Sequence, residues 1–202
     1  MSVPSDHRLV PPGARAERPR HVTAVKFVVA GGFGVGKTTF VGAISEIPPL
    51  RTEAAMTEVA MGVDDASGVA TKTSTTVAMD FGRLTVDEQL VMYLFGAPGQ
   101  DRFTFMWDDL VVGALGAVVL VDTRRFDQCF AAVDYFESRN IPFVVGLNQF
   151  PDCQRYRAED VRDALAIGAH VPIMECDARD LGSARDVLLE LLQMLLRRAQ
   201  AR

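Results

Sequence analysis

The stretch Gly31-Gly32-Phe33-Gly34-Val35-Gly36-Lys37-Thr38 decides the fold. It has the form G-x-x-x-x-G-K-[ST], the loop that wraps nucleotide phosphates. Its glycines let successive backbone N–H groups turn inward around an anion with no Cβ in the way. Lys37 brings a positive charge to the β- and γ-phosphates, and the Thr38 hydroxyl is a ligand for Mg²⁺. Residues 24–30 (AVKFVVA) read as a buried strand running into the loop. Residues 37–45 read as the helix leaving it, its N-terminus aimed at the phosphates. Gly31, Phe33, Gly34, Val35, Gly36, Lys37, Thr38 and Thr39 are therefore the expected phosphate-binding set.

Outward from the loop, the pattern alternates. Ile47-Pro48-Pro49 ends the first helix, because proline cannot continue it. Residues 50–75 show no strong period and are long for a connection, which predicts a functional loop. Residues 77–84 and 89–95 read as two strands of a hairpin, and Gly96-Ala97-Pro98-Gly99-Gln100-Asp101 breaks the second. Residues 102–110 are a weak helix candidate rich in aromatics. Strands are expected at 114–121, 141–147 and 171–176, and helices at 126–139, 158–167 and 183–198. In the last helix Val187, Leu188, Leu191, Leu192 and Leu195 recur at helical spacing, and Arg197 and Arg198 suit its C-terminal dipole. Strands alternating with helices imply right-handed crossovers and a largely parallel sheet covered on both faces. The expected fold is α/β, a three-layer P-loop NTPase architecture with a mostly parallel six-stranded sheet and one antiparallel edge strand. Residues 1–21 hold four prolines, scattered arginines and no apolar period. They are expected to be a disordered arm, and 22–202 a single domain.

A net charge of −5 argues against a nucleic-acid partner, which favours a basic face. Cys129, Cys153 and Cys176 form no C-x-x-C pair, so they are expected to be reduced structural residues of a cytoplasmic protein. No apolar run reaches membrane-spanning length, and no lipidation pattern is present. Any membrane attachment is expected to come through a partner.

Five strings, in order, carry a family resemblance: the phosphate loop, Thr76–Phe81 (TVAMDF), Gly96–Gln100 (GAPGQ), Asn148–Asp152 (NQFPD) and Glu175–Arg179 (ECDAR). Together they resemble a Ras-like small GTPase, in its bacterial MglA-like branch and most of all the actinobacterial conservon type. The resemblance implies GTP or GDP as ligand and Mg²⁺ as cofactor. It also implies a roadblock-type regulator and a membrane sensor kinase-like protein as partners. By the same resemblance Thr76 is the first switch threonine and a metal ligand with Thr38, with Thr75 its nearest rival. Gly99 meets the γ-phosphate and Gln100 orients the attacking water, while Lys37 stabilises developing charge. A solvated glutamine after a Pro-Gly turn is the plainer reading of Gln100. Asn148, Gln149, Asp152, Asp177, Ala178 and Arg179 fall at the base-binding positions, with the Ala178 N–H facing the guanine carbonyl.

Three departures qualify this picture. Gly96 stands where Ras-like proteins carry the aspartate of D-x-x-G, and Asp80 is either its substitute as a metal-site carboxylate or an exposed strand residue. Gln149 and Pro151 replace the lysine and aspartate of N-K-x-D, with Asp152 one residue late, which relaxes discrimination between guanine and adenine. Phe33 stands where a small residue is usual. Apart from these, Thr75 stands where some relatives carry a catalytic arginine, and Arg51 is either an internal substitute for it or an exposed arginine. The expected function is a slow GTPase switch. The alternative is a nucleotide-binding regulatory module with little hydrolysis and relaxed base specificity. A nucleotide or small-molecule kinase fits less well, because an arginine-rich lid is missing.

Overall fold

The computed structural model describes residues 22–48, 50–57, 74–151 and 153–201. Its centre is a neighbouring pair of parallel strands, β1 (Thr23–Ala30) and β5 (Ala114–Val121). Successive residues of β1 face opposite sides, as strand geometry requires. Phe27 and Val29 enter one apolar cluster, Val28 and Ala30 the other, and all four are at most 1% exposed. A strand apolar on both faces needs helices on both. One face is covered by α1 (Lys37–Ile44) and α5 (Leu181–Gln200), the other by the single turn α2 (Trp107–Leu110), α3 (Phe130–Ser138) and α4 (Ala158–Leu165). On α5 the predicted face is the buried one, with Val187, Leu188 and Leu191 fully packed. Asp180 caps its start by accepting from the Ser183 N–H at 2.7 Å.

The remaining strands are β2 (Leu50–Thr57), β3 (Ser74–Thr85), β4 (Leu90–Gly96), β6 (Phe143–Asn148) and β7 (Ile173–Cys176). The sheet order is β2-β3-β4-β1-β5-β6-β7. Every pairing is parallel except the two that β3 makes. The α/β class with a mostly parallel sheet and one antiparallel strand is as expected. The sheet nevertheless has seven strands rather than six, and its antiparallel strand is second from the edge.

The added strand is β2, in the segment expected to be a loop. It pairs with β3 from Leu50↔Phe81 to Thr57↔Ser74. Its sequence, LRTEAAMT, has no alternation to betray it, because what it satisfies is the backbone of β3. β3 accordingly starts at Ser74 rather than at residue 77, and it meets β4 only from Asp80 onward. Residues 74–79 thus run past the end of β4 as a ribbon paired to β2. Two expected helices differ in detail: residues Asp101–Met106 and Thr123–Cys129 are 3-10 segments leading into α2 and α3. The expected arm, 1–21, lies outside the described residues. Among the described residues no helix is long and apolar enough to cross a membrane.

The strand order reverses beside β1, with the chain from α1 going to one side and β5 lying on the other. In open α/β sheets the crevice at such a switch point, past the carboxyl ends of the strands, is the ligand site. The phosphate loop opens there. On the α3 face the packing is aromatic: Phe136 is fully buried against Trp107, Tyr135 and Phe143. Phe136→Ala should cost about 3–5 kcal/mol, the scale of emptying a phenyl site. A lowered denaturant midpoint at unchanged slope is the expected observation.

Candidate functional site

The phosphate loop and its neighbours enclose a cavity of about 410 Å³ lined by Phe33, Gly34, Gly36, Lys37, Thr38, Thr39, Asp80 and residues 96–99. Lys37 Nζ donates to Gly31 O at 2.8 Å and Gly32 O at 2.7 Å, so the ammonium bridges the open side of the loop. Burial pushes its pKa down to about 8, partly opposed by the Asp80 carboxylate. Gly36 has φ +104, and a Cβ there would lie 2.6 Å from Asn148 Nδ2. Only glycine satisfies both the left-handed backbone and the contact. Phe33 is 61% exposed on the cavity wall.

The carboxylate missing from β4 reappears from β3. Asp80 pairs with Gly96 in register, and a Cβ at Gly96 would lie 3.0 Å from Asp80 Cβ and 3.1 Å from its Oδ2. The Asp80 side chain therefore fills the space that an aspartate at position 96 would need. Thr38 Oγ1 donates to Asp80 Oδ2 at 2.5 Å. A hydroxyl and a carboxylate on one cavity wall are hard oxygen donors suited to Mg²⁺, which keeps waters and phosphate oxygens as its other ligands. No group of three or more acidic, histidine or cysteine side chains suited to a metal occurs among the described residues. In the backbone register Thr76 pairs with Ala55 on β2, four residues along β3 from Asp80. Thr75 is farther still, opposite Met56, while Arg51 lies opposite Asp80 on β2.

Gly99 packs on Lys37 Nζ and the Gly31 and Gly32 carbonyls so closely that a side chain there would collide with them. Gln100 does not line the cavity: its Oε1 accepts from Arg102 Nε at 2.9 Å.

Among the residues expected to bind the base, the central one is Asn148, 5% exposed at the end of β6. Its Nδ2 donates to Val35 O at 2.8 Å, and its Oδ1 accepts from the Ala178 N–H at 2.9 Å. The Ala178 N–H, expected to face a guanine carbonyl, is thus engaged with Asn148. Gln149 turns back toward its own strand, donating to Leu147 O at 3.4 Å and accepting from Cys153 Sγ at 3.4 Å. Arg179 grips Asp177 through two 2.8 Å contacts, and its hydrogen bonds hold the Asp177 carboxyl down at about 2. Asp152 lies outside the described residues. Cys129 and Cys176 are buried free thiols, pushed up to about 12 by burial, which suits structural rather than reactive cysteines.

The loop after β5 was not singled out from sequence. Asp122, 4% exposed, accepts from Arg124 Nε and Nη2, each at 2.9 Å, and from Arg125 Nη2 at 3.4 Å. Those bonds, Arg124's foremost, keep its carboxyl below the usual range. Arg124 also lies over the Phe150 ring at 3.8 Å, beside the base-binding string. A charged Asp-Thr-Arg-Arg string directly at the carboxyl end of an apolar strand was the available signal.

Fold and cavity together define a nucleotide-binding P-loop protein with a G-domain-like architecture. Residues 29–198 match the family described as conserved hypothetical ATP binding protein, and the chain belongs to that family. An uncharacterized protein of Methanocaldococcus jannaschii is 30% identical over 127 residues, 62% of this chain and 70% of that protein. The crystal structure of the G domain of the T. maritima FeoB iron transporter superposes with a TM-score of 0.56, covering 88% of this chain and 99% of that one. At 17% identity that likeness shows the shared fold.

Two outcomes follow from the geometry. Asn148→Ala strands a buried carbonyl and a buried N–H, so it should cost about 1–3 kcal/mol in denaturant unfolding and weaken nucleotide binding as well. Lys37 carries its charge below about pH 8 and loses its proton above it, and a bound phosphate would favour the charged form. Nucleoside diphosphate affinity in chelator should therefore fall as pH rises through 8, with proton uptake on binding seen by calorimetry in buffers of different ionisation enthalpy.

Proposed function

We propose that the protein is a signalling switch that binds GTP with Mg²⁺ and hydrolyses it slowly, with weak discrimination against ATP. The observation that carries this reading is the convergence of Lys37, Thr38 and Asp80 on one cavity wall, with Gly96 leaving room for the displaced carboxylate. Lys37 and the loop N–H groups of residues 34–38 would hold the β- and γ-phosphates and stabilise charge as water attacks in line. Thr38 and Asp80 would hold Mg²⁺, which would supply positive charge to offset that of the phosphates. Thr76, on the same strand as Asp80, would add its hydroxyl to the metal site, as the family resemblance implies. Gln100 would orient the water after leaving Arg102, and that hydrogen bond supports slow turnover. The Ala178 N–H spent on Asn148 and the Gln149 side chain turned away support relaxed base choice, in keeping with a family described as ATP binding. The MglA-like, conservon-type placement and its partners, a roadblock-type regulator and a sensor kinase-like protein, rest on the sequence resemblance alone.

A second reading is a binding module that retains nucleotide without hydrolysing it, favoured by the same Gln100–Arg102 contact. Mass spectrometry of the nucleotide that co-purifies should find GDP or GTP, and ATP should compete within about tenfold of GTP, since one lost bidentate hydrogen bond is worth little more. Exclusive binding of ATP would overturn the guanine assignment. Single-turnover phosphate release should be slow and fall further in Gln100→Leu. Negligible, equal rates in both proteins favour the module, and many turnovers per second in the wild type would overturn both readings.

A further inference from the structure

We propose that Arg125, carried by the loop after β5, reaches over the phosphate loop and binds the diphosphate segment of the nucleotide in cis. This rests on the nucleotide-binding reading above and adds a residue to it. Arg125 Nη2 and Nη1 lie 3.2 and 3.9 Å from the point where a Cβ on Gly34 would stand. Gly34 lines the phosphate cavity three residues before Lys37. The guanidinium thus occupies the side-chain position of a phosphate-loop residue that has no side chain of its own.

The placement is built rather than incidental. The backbone leaves helical geometry at Arg125 alone within the 3-10 segment, at φ −137 and ψ 55. One turn on, Gln128 packs against Gly32, where its Cβ and Oε1 lie 2.6 and 2.8 Å from a Cβ position. The loop after β5 therefore follows the phosphate loop along two of its glycines. Asp122, buried at the strand end, anchors this segment. It grips Arg124 at 2.9 Å through both carboxylate oxygens and reaches Arg125 only at 3.4 Å. Arg124 is further committed to the Phe150 face. Among the described residues the long Asp122 contact is the polar partner seen for the Arg125 side chain, which stays 42% exposed. One carboxylate shared by two guanidiniums, with the closer contacts going to Arg124, leaves most of the Arg125 donors unengaged by Asp122. A guanidinium has donors to spare for phosphate oxygens, in the fork geometry that such oxygens accept.

The test uses the full chain, stripped of nucleotide, with GDP, ADP and GTP as probes in calorimetric titration. Wild type, Arg125→Ala, Arg125→Lys and Lys37→Ala are compared at two salt concentrations, with melting of each ligand-free protein. Arg125→Ala should weaken all three nucleotides about tenfold, the scale of one charge-assisted hydrogen bond. It should reduce the salt dependence of binding and leave ligand-free melting unchanged, and Arg125→Lys should recover part of the loss. Unchanged affinity in Arg125→Ala, with Lys37→Ala defective, overturns this inference and leaves nucleotide binding intact. Lost affinity accompanied by a lower ligand-free melting temperature and no recovery by lysine makes Arg125 a structural strut and also overturns it. No binding by the wild type to any probe overturns both readings together.

Discussion

The amide of Asn148 is the constraint on which the site depends. It sits at the end of β6 and ties the phosphate loop, through Val35 O, to the loop after β7, through the Ala178 N–H. Those three segments are far apart in sequence and are joined by a side chain that is 5% exposed. A buried amide with both ends engaged has one orientation, so it sets the relative position of the phosphate loop and the loop after β7. Gly36 follows from it, because the Asn148 nitrogen takes the place of a Cβ there. The apolar sheet beneath supplies stability, while Asn148 supplies alignment.

A second constraint is the placement of negative charge. A carboxylate on β4 at position 96 would collide with the one already reaching in from Asp80 on β3. The pairing of Asp80 with Gly96 resolves this by steric exchange: one position holds the side chain, and its neighbour across the ladder holds none. Antiparallel pairing matters here. It brings the middle of β3 to the carboxyl end of β4, where a ligand cavity opens at a switch point. Burial also explains Lys37, whose ammonium is desolvated and its pKa lowered, with the Asp80 carboxylate partly opposing that shift.

The loop after β5 adds positive charge through a buried acid. Asp122 alone would be a costly group to bury, and its two arginines offset that cost. They are thereby held at fixed places, Arg124 on Phe150 and Arg125 above Gly34. The apolar Phe33, by contrast, is exposed on the cavity wall.

Much of this architecture was legible in the residues. The glycine-lysine-threonine loop, the apolar strands 24–30 and 114–121 and the leucine stripe of the last helix each carry a local rule, either φ/ψ demand or periodicity. Their places in the structure agree with those rules. β2 carries no such rule, because a strand whose role is to pair a neighbour's backbone needs no side-chain pattern. Asp80 as the partner of Gly96, Asn148 as a clamp and Arg125 as the side chain over Gly34 were equally beyond a local reading. Each is a relation between segments that meet only across the sheet or at strand ends. The sequence by itself determined that the chain builds a phosphate loop on a parallel sheet. Only the tertiary structure decided which acid faces the loop, which N–H is already spent and which arginine lies above it, because those outcomes depend on distances that no spacing along the chain records.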